Sequence, residues 1–422
     1  MQLPEDFVRV TRQLMGETRF NSYLEAFEKE APVSIRLNVT KGRFFCDILG
    51  DVTKEPSLCY MPVAWCAEGY YLEGRPQFTF DPLFHAGCYY VQEAASMFVT
   101  HVIKWIMENG QWKMETPLQM LDLCAAPGGK STAMLSVLPE DCTLVSNEPI
   151  PTRAQILLEN ITKWGAKNCI VTNNYPRDFK KAKAKFDLIL CDVPCSGEGM
   201  FRKDPATISE WSVQNVEKCW RLQREIVADA WECLNPGGIM IYSTCTFNTK
   251  ENEENVRWIM EEYDAEVIDI PIDPSWHITG SLLDGFEAPV YRFIPGITRS
   301  EGLFVCALKK RGEWREVRGK RNDLRQLKCL SIDGMQELST LQSPLSTPTV
   351  DLPYPEALKY LRGEAIVLPS DAPRGIVTVT YKGFALGPVK NIGNRANNLY
   401  PKPWRIKTTH LPTEEVKIID IQ

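Results

Sequence analysis

The sequence predicts an α/β fold of seven strands, with a small α+β module before it and a β-rich tail after it. Three observations predict this. From about Leu118, short apolar runs alternate with helical patterns. After the fifth run, two more strands follow with no obvious helix between them. Beyond Leu308 the composition changes abruptly.

Taken in order, the first 85 residues combine a helical start, a β-like segment Val33-Ser34-Ile35-Arg36-Leu37-Asn38-Val39 and a turn-rich stretch ending near Asp81-Pro82. The alternating region contains Met120-Leu121-Asp122-Leu123, Thr143-Leu144-Val145-Ser146, Cys169-Ile170-Val171, Asp187-Leu188-Ile189-Leu190 and Ile239-Met240-Ile241-Tyr242. Apolar runs separated by helices imply a parallel sheet covered on both faces. Between the second and third runs, Ala154, Leu157, Leu158 and Ile161 repeat at helical spacing. Thr152 and Gln155 have capping-box spacing, and Gly165 stands where a C-terminal glycine belongs. Glu266-Val267-Ile268-Asp269-Ile270 and Gly302-Leu303-Phe304-Val305-Cys306-Ala307-Leu308 complete seven strands ending in a hairpin. That layout fits a Rossmann-like S-adenosylmethionine (SAM) methyltransferase better than a dinucleotide dehydrogenase.

A chain of 422 residues, 44% hydrophobic and 24% charged, is long enough for several globular domains and a large core. No run reaches the roughly 18 to 20 apolar residues needed to cross a bilayer. The start, Met1-Gln2-Leu3-Pro4-Glu5-Asp6, lacks a basic region followed by an apolar one. A cytoplasmic protein with no membrane partner is expected. The 14 cysteines form no C-x-x-C pair, so reduced thiols are expected rather than a disulfide framework or zinc knuckle. Four dispersed histidines, His85, His101, His277 and His410, argue against a His-ligated metal and a His-centred hydrolase.

The net charge of −6 conceals two basic stretches. Residues 309–328 hold nine Lys or Arg against three acids, and a Ser/Thr/Pro-rich linker at 343–349 follows. Residues 382–407 hold six bases and no acid, interleaved with Phe384, Tyr400 and Trp404. Such segregation suggests contact with a polyanion such as RNA. The expected division is an N-terminal RNA-binding module at 1–85, a catalytic domain at 86–312, a basic segment and linker at 313–350 and an RNA-binding domain at 351–422.

Cys124-Ala125-Ala126-Pro127-Gly128-Gly129-Lys130-Ser131 forms a small-residue turn between a strand and a helix starting near Ser131. Glycines there let a ligand approach the backbone, and the helix N-terminus offers unpaired N–H groups. A phosphate-binding P-loop requires Gly at position 124, which is Cys, and the dinucleotide G-x-G-x-x-G pattern is absent. In nucleoside-binding sheets an acid ending the second strand takes the ribose hydroxyls, and Glu148 holds that place.

Strand four runs into Asp192-Val193-Pro194-Cys195-Ser196-Gly197, and strand five into Tyr242-Ser243-Thr244-Cys245-Thr246. Carboxyl ends of neighbouring strands face the ligand crevice, so Asp192, Cys195 and Cys245 are expected to converge there. Cys142, Cys169, Cys191, Cys233 and Cys306 read as small buried hydrophobes. Thiols suit one chemistry in particular. Carbon 5 of a pyrimidine is a poor nucleophile until a thiolate adds to carbon 6 and makes an enamine. A carboxyl such as Asp192, bonded to the ring nitrogen and exocyclic amine, would stabilise the developing charge. A free thiol with a pKa of about 8.5 needs positive potential to ionise. The SAM sulfonium, and the amides of a helix beginning after Asn248 with Asn248 and Glu251 in capping-box form, are the expected sources.

These three motifs resemble those of the Sun-type (NOL/NOP/Sun) RNA cytosine-5 methyltransferases. Glu198-Gly199-Met200-Phe201-Arg202-Lys203-Asp204-Pro205 and the tail at 388–403 resemble the bacterial branch acting on small-subunit ribosomal RNA. The likeness covers most of the chain, from Arg36-Leu37-Asn38 and Val91-Gln92-Glu93 through Leu308 and again in the tail. It implies Cys245 as nucleophile, Cys195 as the residue assisting product release, and Lys130 and Asp192 near the target base. For SAM it implies residues 124–130 (Cys124, Ala125, Ala126, Pro127, Gly128, Gly129 and Lys130), Glu148 on the ribose, Arg153 and Asp192. It also implies a PUA-like RNA-binding tail, and as substrate ribosomal RNA or a partly assembled small subunit, bound by a monomer. One position departs from the family: an acid usually follows the third strand to hold the adenine amine, and here Asn174 is left to accept that bond. Rival readings are a nucleophile in the Pro194-Cys195 pair, as in DNA cytosine-5 methyltransferases, a transfer RNA substrate, and an inactive RNA-binding assembly factor.

Overall fold

The computed structural model describes residues 3–41, 61–109, 117–312, 324–331, 347–408, 410–412 and 414–419. Helix α1 (Glu5–Ala26) is followed by strand β1 (Val33–Leu37), β2 (Met61–Val63), β3 (Cys66–Leu72) and β4 (Tyr89–Val91). These strands form an antiparallel sheet in the order β2-β3-β1-β4, its last strand lying beyond residue 85. Phe7, Met15, Phe20 and Tyr23 line the buried side of α1. The Phe7 ring meets Phe201 edge-on at 5.0 Å, and Tyr23 meets Phe247 at 5.4 Å. The first helix thus packs beside the loops that follow Cys195 and Cys245.

The second unit runs α2 (Phe98–Glu108), β5 (Gln119–Asp122), α3 (Gly129–Val137), β6 (Thr143–Asn147), α4 (Pro151–Trp164), β7 (Cys169–Thr172), α5 (Pro176–Lys181) and β8 (Phe186–Asp192). It continues with α6 (Val213–Cys233), β9 (Leu234–Thr244), α7 (Glu253–Tyr263), β10 (Ala265–Val267), β11 (Tyr291–Phe293) and β12 (Leu303–Lys310). The sheet order is β10-β12-β9-β8-β5-β6-β7; β5 to β9 are parallel and β12 is antiparallel to β9. β8 is buried along six of its seven residues because helices cover both faces.

All seven expected strands are present, but among the described residues the sheet has eight. The addition, β11, pairs antiparallel with β12. Arg292 at its centre is buried and ion-paired to Glu253, so no apolar run announced it. Helix α4 also differs from expectation at its start. It begins at Pro151 with Ile150 as N-cap and no side-chain cap, so Thr152 and Gln155 form no capping box. Proline's fixed φ suits the first turn, and Glu148 Oε1 accepts the Ile150 N–H at 2.9 Å. Gly165 ends the helix as expected, with a left-handed φ of 85°.

The third unit contains β13 (Thr349–Asp351), α8 (Tyr354–Leu361), β14 (Gly375–Tyr381), β15 (Phe384–Asn391) and β16 (Ala396–Asn398), its strands paired in that order. Lys382 and Gly383, both at positive φ, make the two-residue turn from β14 to β15. Of the three aromatics among the bases, Phe384 and Tyr400 are buried in the core. Lys390, Arg395, Lys402 and Lys407 are exposed. Residues 313–323 of the first basic stretch, and 343–346 of the linker, lie outside the described residues.

The first and third units share one apolar core, in which Ile35, Leu37, Phe78 and Leu83 lie with Leu358, Leu361, Val377 and Val389. Asn38 secures the first unit to the second, its Nδ2 donating to the Gly87 and Trp164 carbonyls at 2.8 and 2.9 Å. Among the described residues, no helix is long and apolar enough to cross a membrane.

Candidate functional site

Beyond Asp122 at the end of β5, the chain turns through Cys124, Ala125, Ala126 and Pro127 to Gly128, whose φ is 112°. A Cβ at Gly128 would lie 3.2 Å from the Leu157 side chain as well as strain the backbone. That left-handed residue lets α3 start at Gly129, two positions before the expected Ser131. Helix α4 holds the turn from outside: Arg153 Nη2 donates to the Ala126 carbonyl at 3.0 Å, and Asn160 Nδ2 to that of Pro127 at 2.8 Å. Asp122 is fully buried, and its Oδ2 accepts the Ser131 hydroxyl at 2.6 Å. Its Oδ1 has no partner among the described residues. Burial pushes the Asp122 carboxyl up to about 7.

Glu148 follows β6 and is 1% exposed. Its Oε2 lies 3.5 Å from Arg153 Nη1. Asn174, past β7, is buried, and its Oδ1 accepts the Lys328 backbone N–H at 2.9 Å, so an adenine amine would have to share that oxygen. The small side chains, the left-handed glycine at a helix start, the Glu148 carboxylate and the unpartnered oxygen of Asp122 fit a compact, positively charged nucleoside such as SAM.

β8 and β9 are adjacent, with Asp192 opposite Ser243, so the loops beyond them leave the same sheet edge. Cys195 Sγ and Cys245 Sγ lie 3.1 Å apart, and the Cys245 N–H donates to Cys195 Sγ at 3.3 Å. The hydrogen bond to Cys245, and then burial, hold the Cys195 thiol well above its ordinary pKa. Beside them Lys130 Nζ donates to Asp192 Oδ2 at 2.7 Å, and the Ser243 hydroxyl donates to Asp192 Oδ1 at 2.7 Å. Burial works to depress the Lys130 ammonium, but the charge and hydrogen bond of Asp192 outweigh it and raise the pKa. Of the five cysteines expected to be buried, Cys142, Cys191, Cys233 and Cys306 are; Cys169, on edge strand β7, is half-buried and contacts the Ser146 hydroxyl at 3.4 Å.

Sequence reasoning missed two buried carboxylates. Glu198 Oε2 accepts the Phe247 and Asn248 N–H groups at 2.7 and 2.9 Å, and Oε1 accepts Trp211 Nε1–H at 2.9 Å. Glu251 Oε2 accepts the Ser196 N–H at 3.1 Å and Gln223 Nε2–H at 2.6 Å. The acidic residue in the Ser-Gly-Glu-Gly turn was the available signal for the first, and the capping-box form for the second. Asn248 and Glu251 do exchange bonds, at 2.8 and 2.9 Å, yet α7 starts only at Glu253. The Asn248 N–H goes to Glu198 and the Glu251 N–H to Asn248 Oδ1.

A parallel sheet with a glycine-rich turn after its first strand, an acid after its second and the tips of its fourth and fifth converging defines a Rossmann-like methyltransferase. Residues 112–309 match the family model of the 16S rRNA methyltransferase RsmB/F, 3–94 that of the N-terminal domain of 16S rRNA methyltransferase RsmF, and 347–406 that of the RsmF PUA domain. The chain is 30% identical to ribosomal RNA small subunit methyltransferase F of Enterobacter sp. (strain 638), over 94% of this chain and 95% of the relative. It is 33% identical to the protein of that name from Pectobacterium atrosepticum, over 74% of this chain but 63% of the relative's length. In fold it is similar to a methyltransferase homolog from Pyrococcus horikoshii, with a TM-score of 0.59 and 24% identity over 73% of this chain and 100% of that one. NSun6 from the same organism gives a TM-score of 0.59 and 20% identity over 74% and 99%. The chain belongs to the RsmF family of small-subunit ribosomal RNA methyltransferases, and its tail is a PUA domain.

Proposed function

We propose that this chain, a cytoplasmic monomer, methylates carbon 5 of a cytosine in small-subunit ribosomal RNA, free or in a partly assembled subunit. The observation that carries the reading is the 3.1 Å approach of Cys195 and Cys245 Sγ beside the Lys130–Asp192 pair. SAM, bound by residues 124–130, Glu148, Arg153 and Asn174, supplies an electrophilic methyl group. Cys245, as thiolate, adds to carbon 6 of the cytosine. Asp192 and Lys130 bond the ring nitrogen and exocyclic amine, where charge develops, and carbon 5 then takes the methyl group. Release requires the carbon 5 proton to leave and the Cys245–carbon 6 bond to break, the step that Cys195 assists. Exposed Lys390, Arg395, Lys402 and Lys407 of the PUA domain contact the RNA backbone.

Separate alanine substitutions test the assignment. Cys195→Ala accumulates a covalent RNA complex that survives denaturing electrophoresis, whereas Cys245→Ala forms none and transfers no methyl group. The reverse pattern would exchange the two roles. Bisulfite sequencing of ribosomal RNA from a deletion strain should show one 5-methylcytosine missing; a complete set of marks would sink the reading.

A further inference from the structure

Residues 324–331 lie between the segments matched by the catalytic and PUA family models. This short stretch returns to the outer edge of β7, where Cys329 bridges antiparallel to Thr172 and the Leu330 N–H donates to the Val171 carbonyl at 2.8 Å. Leu327 is buried in the same apolar cluster as Phe179. The contact then concentrates on one residue. Lys328 gives its backbone N–H to Asn174 Oδ1 at 2.9 Å, and its carbonyl accepts the Asn173 N–H at 2.9 Å and Asn174 Nδ2–H at 3.2 Å. Its Nζ reaches Asn173 Oδ1 at 2.8 Å. Asn173 in turn donates through Nδ2 to the carbonyls of Glu148 and Pro149 at 2.8 and 3.0 Å. A chain of hydrogen bonds therefore leads from Lys328 to the backbone of the expected ribose-binding acid.

We infer that residues 324–331 form the outer wall of the cofactor site, with Lys328 as a positioning residue that fixes Asn173, Asn174 and, through them, Glu148. The inference rests on the reading of Glu148 as a SAM ligand. Lys328 is exposed, so its ammonium contributes less than its backbone. Before SAM binds, the backbone N–H pairs a buried side-chain oxygen and so fixes the direction in which Asn174 presents its amide.

The full-length protein with Lys328→Met, Lys328→Pro and Lys328→Arg separates these contributions, with Glu148→Ala as reference. SAM affinity is read by titration calorimetry without RNA, and KM for SAM and for RNA from methyl transfer. Lys328→Pro, which lacks the N–H, should weaken SAM about tenfold, Lys328→Met about twofold to threefold, and Lys328→Arg less than twofold. The KM for SAM should rise with it, while kcat at saturating SAM and the KM for RNA change less than twofold. Unchanged SAM affinity in all three Lys328 variants, with Glu148→Ala impaired, would overturn the inference alone. An unimpaired Glu148→Ala would overturn the cofactor reading and the inference with it. A rise confined to the KM for RNA would make Lys328 an RNA contact and equally overturn the wall.

Discussion

Glu198 reaches from the loop after β8 to accept the Phe247 N–H at 2.7 Å, tying the segment that holds Cys195 to the one that holds Cys245. The same carboxylate accepts Asn248 N–H and Trp211 Nε1–H. At 2% exposure, no water replaces it. Glu198→Ala should lower the unfolding free energy by about 3 kcal/mol, since each buried donor left unpaired costs about 1 to 3 kcal/mol and such losses add incompletely. Its kcat should fall further than stability alone explains, because the separation of the two sulfurs is no longer held. Glu198→Gln, retaining one acceptor oxygen, should be milder in urea titrations; equal losses for the two variants would contradict this role.

Arg36 is completely buried and fastens the first unit to the second. Its Nε donates to Gln92 Oε1 at 2.8 Å, its Nη2 to Thr132 Oγ1 at 2.6 Å, and its guanidinium carbon lies 4.5 Å from the centre of the Trp164 ring. Burial brings its pKa down to about 10, still charged at neutral pH. Because the fork and the stacking both depend on a planar group, Arg36→Lys should destabilise by about 3 kcal/mol, close to the effect of Arg36→Met. Urea unfolding followed by tryptophan fluorescence checks this; a lysine variant as stable as the parent would show that charge alone suffices.

Asp122 keeps its proton in the fold up to about pH 7, whereas in the unfolded chain it loses it near pH 4. The native state therefore binds the extra proton between those values, and this group's contribution to stability falls as pH rises through that window. Asp122→Asn, which resembles the neutral acid, should gain on the parent by up to about 4 kcal/mol between pH 4 and pH 8. Urea midpoints at pH 5 and pH 8 measure the difference. Parallel shifts in both proteins would mean that Asp122 ionises in the fold as readily as in the unfolded chain.

The sheet was largely legible because its strands are local apolar runs broken by helical spacing, and the motif residues fall on strand tips that topology alone brings together. β11 was not, since its central residue is a buried arginine whose partner, Glu253, lies far away in sequence. The scaffold under the cysteines was hidden for the same reason: Glu198 and Glu251 look like surface acids until distant amides close around them. The burial of Phe384 and Tyr400 was not legible either, because a basic neighbourhood carries no information on which way a ring points.

The apolar core common to Leu37, Phe78, Leu358 and Val389 also bears on how the molecule is made. A ribosome completes the opening sheet early, but the residues that cover one side of it emerge more than 250 positions later. At about 5 to 20 residues per second, that side stays uncovered for on the order of half a minute. During that interval a nascent chain carries an exposed greasy surface of the kind that holdase chaperones bind, and translation of the third unit relieves it.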